Sequence, residues 1–291
     1  MSGTTVASID GAQVPLAEAR VSILDRGFLY GDSVFEVMRV HRGVAFRQRA
    51  HLERLARSAE SVFIELPVTV EALATELRAA LEASGLRDAY VRLILTRGQG
   101  PLTFDRRTAS APRRVVLVAP LPELAQSLYT EGVTAALVHV SRPAVGSRSR
   151  GVKASNYLAN LLALEEARSR GAHDAILVEP DGMVTEAASS NVFVVRDGRV
   201  LTPRLEAGIL SGITRGVVIE RAGALGVPVE EGLVFPSDLY RADEVFLTSS
   251  VRELVSVVRV DGREVGVGAP GPVAARLREA YRAEVRRETG G

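Results

Sequence analysis

Of the 36 basic side chains in this chain, one is a lysine, Lys153, and the other 35 are arginines. A surface cation can be either residue. A nucleophilic amine can only be the lysine, because an ammonium loses its proton when its pKa is lowered and a guanidinium does not. Lys153 stands in Arg150-Gly151-Val152-Lys153-Ala154-Ser155-Asn156-Tyr157-Leu158, at the end of an irregular Arg/Ser/Gly-rich loop, 142–151. Glu186 ends a strand-like run further on and is followed by Ala187-Ala188-Ser189-Ser190-Asn191. Ser211-Gly212-Ile213-Thr214 leads into a helical segment, and Thr248-Ser249-Ser250 ends a strand with three hydroxyls. A helix N-terminus with a small, flexible lead-in suits an anion. Singly these features are ordinary: Ser-rich turns are usually only turns, and a strand-end glutamate is usually solvated. Together they suit pyridoxal phosphate, with an amine to form the imine, a carboxylate to keep the pyridine nitrogen protonated, and two turns for the phosphate.

The bulk composition narrows the other choices. An apolar fraction of 46% and a charged fraction of 24% over 291 residues describe a globular protein of one large or two ordinary domains. A net charge of +1 without a long basic tract speaks against nucleic-acid and membrane-surface partners. With no cysteine there is no disulfide, thiolate nucleophile or cysteine-held metal, and no metal site is expected. Neither a signal-peptide pattern at Met1–Asp10 nor an apolar run of spanning length is visible, so a cytoplasmic protein is expected.

The elements that must position these residues follow from periodicity and turn signals. Strands are expected at Thr5–Ile9, Gln13–Leu16, Ser33–His41, Val44–Arg47, Tyr90–Thr96 and Arg114–Ala119. Helices are expected over about 48–63 and 70–83, with a non-periodic loop from Arg97 to Asp105. A Pro-bearing connector at 121–131 separates a small N-terminal domain, 1–120, from a larger domain, 132–291. The second half then reads as strand Val133–Ser141, a helix over 155–170, and a meander of Ala175–Glu179, Met183–Glu186, Asn191–Arg196 and Val200–Pro203. Asp181-Gly182 and Asp197-Gly198 serve as its hairpin turns. A helix at Thr214–Leu225, a strand at Asp243–Ser249, a strand pair about Asp261-Gly262 and a last helix from Pro272 complete it. Strands and helices without strict βαβ alternation give an α+β class.

Across nearly its whole length the chain resembles the fold-type IV pyridoxal-phosphate enzymes, most of all the branched-chain aminotransferases. The resemblance rests on Asp25-Arg26-Gly27-Phe28, Gly31-Asp32-Ser33-Val34-Phe35-Glu36, His51-Leu52-Glu53-Arg54-Leu55, Lys153-x-x-Asn156-Tyr157-Leu158 and Val184-Thr185-Glu186. It continues through Ser190-Asn191-Val192-Phe193, Gly212-Ile213-Thr214-Arg215 and Ala242-Asp243-Glu244-Val245-Phe246. It implies a small N-terminal α/β domain, a larger mixed β-barrel-like domain and a homodimer or larger assembly. It also implies the roles of individual residues. Lys153 would carry the imine and shuttle the proton, Glu186 would bind the pyridine nitrogen, and Tyr157 would donate to the phenolic oxygen. Arg54, the amides of Ile213 and Thr214, and the hydroxyls of Thr214 and Ser250 would hold the phosphate. Ser189 and Ser249 belong to the same cofactor-binding turns. Taken without the resemblance, Arg54 reads as a solvated helix charge, and His51 beside it as structural.

On the substrate side, Tyr30, Phe35 and Tyr90 resemble the apolar wall of the branched-chain enzymes. Val251 lies in the turn whose amides, by the resemblance, would take a carboxylate. Arg92 would bind the distal carboxylate of 2-oxoglutarate, or else pairs with a surface acid on the strand's solvent face. Leu102 and Phe104 stand where D-amino acid aminotransferases carry an arginine and a histidine for the substrate carboxylate. Other features depart from the branched-chain pattern: the Lys153-Ala154-Ser155-Asn156 spacing, the Ala187-Ala188-Ser189 that follows Glu186, and Ser249-Ser250-Val251 in place of Gly-Thr-Ala. D-amino acid aminotransferase, (R)-amine transaminase and aminodeoxychorismate lyase therefore stand as alternatives. A non-catalytic protein that kept the fold would have eroded Lys153, Glu186 or Arg54, and all three are present. The expected activity is amino transfer between a branched-chain L-amino acid and 2-oxoglutarate.

Overall fold

The structure is a computed structural model describing residues 3–109, 111–140 and 151–291. The expected loop at 142–151 lies outside the described residues except for Gly151. Two compact units form. The first is Met1–Pro122 with Val152–Asn156 and Val285–Gly291; the second is Glu123–Gly151 with Tyr157–Glu284. The short segment bearing Lys153 thus packs with the N-terminal half, whereas the sequence reading places it in the C-terminal one.

In the first unit β1 (Val6–Ile9), β2 (Ala12–Val14), β3 (Ser33–His41), β4 (Val44–Ala45), β5 (Ala89–Thr96) and β6 (Arg113–Pro120) form an antiparallel sheet ordered β2-β1-β6-β5-β3-β4. Helices α1 (Arg26–Tyr30), α2 (Gln48–Ser61) and α3 (Val70–Ser84) accompany it. Alternation along β3 sends Val34, Met38 and Val40 into a core shared with Leu52 and Leu55 of α2 and Leu73 and Leu77 of α3. Glu36 stands in that same inward row and is fully buried. Phe35, Val37 and Arg39 point to the other face of the sheet. α3 is bounded by recognisable caps: Thr69 Oγ1 accepts the Ala72 N–H at 3.1 Å, and Gly85 ends the helix with φ 62°.

Strand β4 pairs only with Val40 and His41, so the first half of β3 needs a neighbour on that edge. The segment 153–155 supplies it. Val34 and Ala154 form an antiparallel bridge, the Phe35 N–H donates to the Lys153 carbonyl at 2.9 Å, and the Ser155 N–H donates to the Ser33 carbonyl at 2.9 Å. Three residues expected to lie at or just before the start of a helix are spent on this pairing.

The second unit contains β7 (Val133–His139), β8 (Asp174–Val178), β9 (Val184–Ala187), β10 (Asn191–Arg196), β11 (Arg199–Pro203), β12 (Val229–Gly232), β13 (Glu244–Ser249), β14 (Glu253–Val260) and β15 (Arg263–Glu264). Its helices are α4 (Ser127–Thr130), α5 (Leu158–Ser169), α6 (Ile213–Ala224), α7 (Pro236–Tyr240) and most of α8 (Pro272–Thr289). The strands run β10-β13-β14-β7-β8-β9, and β9 returns to β10 through the single pair Glu186↔Asn191, which closes the sheet into a barrel. β7 is parallel to both β8 and β14, while β13 is antiparallel to β10 and β14, so the barrel is mixed. Ile176, Val178, Val184, Val192, Val194, Leu247, Val255 and Val257 fill its core. The expected α+β class holds in this form.

Most expected elements appear within a residue or three of their bounds, and Ser33–His41 and Asn191–Arg196 match. Of the two expected hairpin turns, Asp197-Gly198 has both φ values positive, at 50° and 72°, as a two-residue type I′ turn requires. Asp181-Gly182 has positive φ only at the glycine. The helix expected from 155 begins at Leu158, and the connector 121–131 contains α4. Helices α1 and α7 and strand β12 are additional; each is five residues or fewer, too short to show a period. Among the described residues no helix is long and apolar enough to cross a membrane.

The buried Glu244 carboxylate at the start of β13 accepts the N–H groups of Val273 and Ala274, both at 2.8 Å, and so caps α8 from a distant strand. Glu244→Ala is expected to destabilise the protein by about 2 kcal/mol through two orphaned helix donors. Thermal denaturation should show a melting temperature lower by roughly 4–8 °C, and no change would remove the cap from the account of α8.

Candidate active site

In the first unit the residues singled out by the sequence gather on the two faces of β3. On the inward face Glu36 receives α2. Arg54 donates Nε–H to Glu36 Oε1 at 2.6 Å and Nη2–H to Oε2 at 2.7 Å, and His51 Nδ1–H donates to Oε2 at 2.7 Å. His51, Arg54 and Ser58 recur at helical spacing, so one stripe of α2 is polar and buried beside the apolar stripe of Leu52, Leu55 and Ala59. Arg54 is 4% exposed and paired, so the reading of it as a solvated charge is set aside.

Burial opposes ionisation of Glu36, and the Arg54 and His51 hydrogen bonds outweigh it, holding its pKa down at about 2 from an ordinary 4.5. Burial lowers the His51 pKa and the Glu36 hydrogen bond works against that shift, while the charges of Arg54 and Lys153 lower it further. His51 therefore sits in the cluster as a neutral donor.

On the outward face lies the lysine. Lys153 Nζ stands over the Phe35 ring, 4.6 Å from its centre, and the Arg92 guanidinium carbon is 4.1 Å from the same centre. Both are within the range of a cation–π contact. Val37 faces Arg92 across the β3–β5 ladder, and Tyr90 follows two residues along the same face. Among the described residues Arg92 has no carboxylate partner, which leaves the surface-acid reading without its acid. The Lys153 N–H donates to the Ser58 hydroxyl at 3.3 Å. Tyr30 packs elsewhere, against Phe104 at 5.4 Å between ring centres and under Arg26 at 4.9 Å. Leu102 and Phe104 are 74% and 87% exposed.

The turn before β3 and the loop after β5 are pinned by a charge cluster. Asp32 accepts from Arg97 Nε and Nη2 at 2.7 and 2.8 Å and from Arg26 Nε at 3.0 Å. Burial of Asp32 is outweighed by these bonds, and its pKa is lowered. Arg97 also donates to the carbonyls of Val62 and Phe63, and Arg26 to that of Thr103.

In the second unit Glu186 lies at the barrel closure, half-buried, with Oε2 accepting the Leu210 N–H at 3.0 Å. Its pairing partner Asn191 donates Nδ2–H to the Leu210 carbonyl at 2.9 Å. Asn191 Oδ1 occupies the place that a Cβ at residue 212 would need, so a side chain ahead of α6 would have to displace the Asn191 amide. Ile213 and the buried Thr214 form the first turn of α6, whose N-cap, Gly212, offers no side-chain cap. Across the ladder from Asn191, the buried Thr248 Oγ1 has no hydrogen-bond partner among the described residues.

Ser249 ends β13 and Ser250 and Val251 begin the turn after it, all three half-buried, and Ser249 Oγ accepts the Arg252 N–H at 3.3 Å. Arg252 also donates to Asp174 at 2.6 Å and to the Ser190 hydroxyl at 2.9 Å, tying this turn to the one after β9. Ser189 is exposed, and Tyr157 is the N-cap residue of α5. An uncapped helix N-terminus, a glycine closely approached by the Asn191 amide and an unpartnered buried hydroxyl together fit a phosphate. Glu186 fits a protonated ring nitrogen. The described residues include no group of three His, Cys, Asp or Glu side chains able to hold a metal.

Glu36, Ser58 and Asn191 carry much of this geometry, yet the sequence reading gave none of them a role. A glutamate in the inward row of an apolar strand is the one signal that could have singled out Glu36.

Residues 33–260 match the model of the amino-transferase class IV family. The chain is 38% identical over 274 residues to a putative branched-chain-amino-acid aminotransferase of Methanocaldococcus jannaschii, covering 94% of each. It is 32% identical over 282 residues to the D-alanine aminotransferase of Bacillus licheniformis, covering 96% of this chain and 97% of that one. Among solved structures, the branched-chain aminotransferase of Thermoproteus uzoniensis with norvaline is similar with a TM-score of 0.89 at 34% identity, over 99% of this chain and 96% of that one. The chain belongs to the class IV aminotransferases, the family its motifs resemble, and is a pyridoxal-phosphate-dependent transaminase.

The Glu36 cluster has a pH signature. A carboxylate whose folded-state pKa is depressed stabilises the fold fully above about pH 4.5, and that contribution is lost as pH falls toward 2. Glu36→Gln is expected to cost on the order of 3 kcal/mol at pH 7. Denaturant titrations from pH 7 to pH 3 should show the gap between wild type and variant narrowing below pH 4.5. A gap independent of pH would assign the loss to packing instead.

Proposed function

We propose that this transaminase moves the amino group of a branched-chain L-amino acid to 2-oxoglutarate. The observation that carries the reading is the outward face of β3 and β5. There an aromatic ring lies under both the lone lysine amine and a guanidinium that has no carboxylate partner among the described residues. A forked cation of that kind suits the distal carboxylate of a dicarboxylic keto acid. Phe35, Tyr90 and Val37 give the same face an apolar character for a branched side chain; Tyr30, which packs against Phe104, is given a place in that wall by the family resemblance alone. The similarity to a putative branched-chain enzyme supports the donor, while the similarity to a D-alanine enzyme keeps handedness as the first thing to measure. The exposed Leu102 and Phe104 cannot pair with a carboxylate, which favours the L-amino acid.

Pyridoxal phosphate, when bound, supplies an electron sink for the carbon that loses its proton. Lys153 would provide the amine that attaches the cofactor, and its Nζ would hold and return that proton. The Glu186 carboxylate would keep the ring nitrogen protonated. By the family resemblance Arg54, the amides of Ile213 and Thr214, and the hydroxyls of Thr214 and Ser250 would bind the phosphate, with Ser189 and Ser249 in the same turns. Tyr157 would donate to the phenolic oxygen, and the turn at Val251 would receive the substrate α-carboxylate.

Borohydride reduction of the holoenzyme followed by peptide mapping is expected to leave the cofactor mass on Lys153; a label elsewhere would remove the lysine from this role. Glu186→Gln should keep the cofactor yet slow the half-reaction by at least about tenfold, ~1.4 kcal/mol of barrier. Arg92→Leu is expected to raise KM for 2-oxoglutarate far more than KM for a branched-chain keto acid. Equal effects on both would make Arg92 structural, and activity confined to D-alanine and D-glutamate would overturn the donor.

A homodimer is part of the proposal. On α5 the side chains of Leu158, Leu161 and Leu162 share one face and are 67%, 60% and 62% exposed. Three large apolar side chains in one stripe suit a protein interface. Leu161→Glu is expected to shift the mass in light scattering toward the monomer, and a fully active wild-type monomer would refute the assembly.

A further inference from the structure

The lysine is held by its own main chain, and α2 does part of the holding. In an antiparallel pairing the residues flanking the Val34–Ala154 bridge exchange two hydrogen bonds each. At Phe35 and Lys153 the Phe35 N–H donates to the Lys153 carbonyl at 2.9 Å, while the Lys153 N–H is turned to the Ser58 hydroxyl at 3.3 Å. Ser58 is 4% exposed and sits one turn beyond Arg54 on the same buried stripe of α2. That stripe is anchored to β3 by the Glu36 carboxylate through Arg54 and His51. One helix therefore fixes the Arg54 guanidinium by its side chain and the Lys153 backbone through a hydroxyl.

We propose that Ser58 is a positioning residue for Lys153: by taking the lysine's N–H out of the strand pairing it sets the direction in which the Nζ leaves the edge of β3 and couples it to the helix that bears Arg54. The proposal rests on the reading of Lys153 as the cofactor-bearing amine. A structural role alone would ask only that Ser58 fill its place beside Ala59 and Leu55. A role in positioning also requires that removing the hydroxyl alter the behaviour of the lysine nitrogen while the fold stays intact.

Ser58→Ala deletes one oxygen and leaves the helix and its packing in place. Ser61→Ala serves as control, since that hydroxyl bonds the Arg57 carbonyl on the exposed side of the same helix. The holoenzymes are compared by thermal denaturation, by pH titration of the visible absorption of the bound cofactor, and by kcat and KM of each half-reaction. Ser58→Ala is expected to melt within a few degrees of wild type, to shift the midpoint of the visible titration, and to lower kcat roughly three- to tenfold with KM for the amino donor unchanged. Ser61→Ala should match wild type in all three.

An unmoved titration together with unchanged kcat in Ser58→Ala would overturn the proposal. So would a loss of kcat that merely follows a fall in melting temperature without a spectral shift. The outcome of borohydride reduction separates the two levels. A label on Lys153 with an inert Ser58→Ala refutes only the positioning role, and a label elsewhere refutes the lysine assignment and the proposal together.

Discussion

The first half of β3 has strand β5 on one edge and the three residues 153–155 on the other. A strand edge left open carries unpaired donors and acceptors, and in this unit β4 is too short to cover it. The segment that satisfies the edge is the one that carries the chain's only lysine. Placement of the amine is thereby tied to main-chain hydrogen bonding, which is less tolerant of drift than a surface loop would be. The side chain leaves a paired strand with its ring neighbour, Phe35, supplied by the strand it pairs with.

Behind β3 lies a fully buried carboxylate, Glu36. Removing a glutamate from water is costly unless it is well bonded and paired with opposite charge. Glu36 meets both conditions, with three short charge-assisted or polar hydrogen bonds from α2. Replacing the cluster by apolar side chains could keep the packing, but it would lose the fixed register of helix on strand that orients Arg54 and presents Ser58. The second unit uses a parallel device on a smaller scale. Glu186 and Asn191 close the barrel by one pair and share a partner in Leu210, so the Glu186 carboxylate is part of the seam.

Local structure was readable from the sequence where it depends on residue type and spacing. Lys153 stood out by uniqueness, β3 and β10 by their alternation, α3 by Thr69 and Gly85, and the start of α6 by Gly212-Ile213-Thr214. Partners across the fold were not readable. Periodicity states which face a side chain occupies but not which element covers that face. Thus Glu36 could be assigned to the inward row of its strand, while its bonds to Arg54 and His51 required the packing of α2. The pairing of 153–155 with β3 also could not be read from the sequence, because three residues carry no period and the strand they join lies in the other half of the chain. For the same reason the division into units followed packing and not chain order, with Lys153 joining the N-terminal half.

Arginine makes ion pairs throughout the described residues, from Arg26–Asp32 to Arg282–Glu253. Guanidinium groups stay protonated and do not condense with aldehydes as amines do at neutral pH. A protein whose cofactor is itself an aldehyde thus offers it one side-chain amine and no side-chain decoy. Adducts on bystander residues, which blur the stoichiometry of loading in a lysine-rich chain, have no side chain here on which to form.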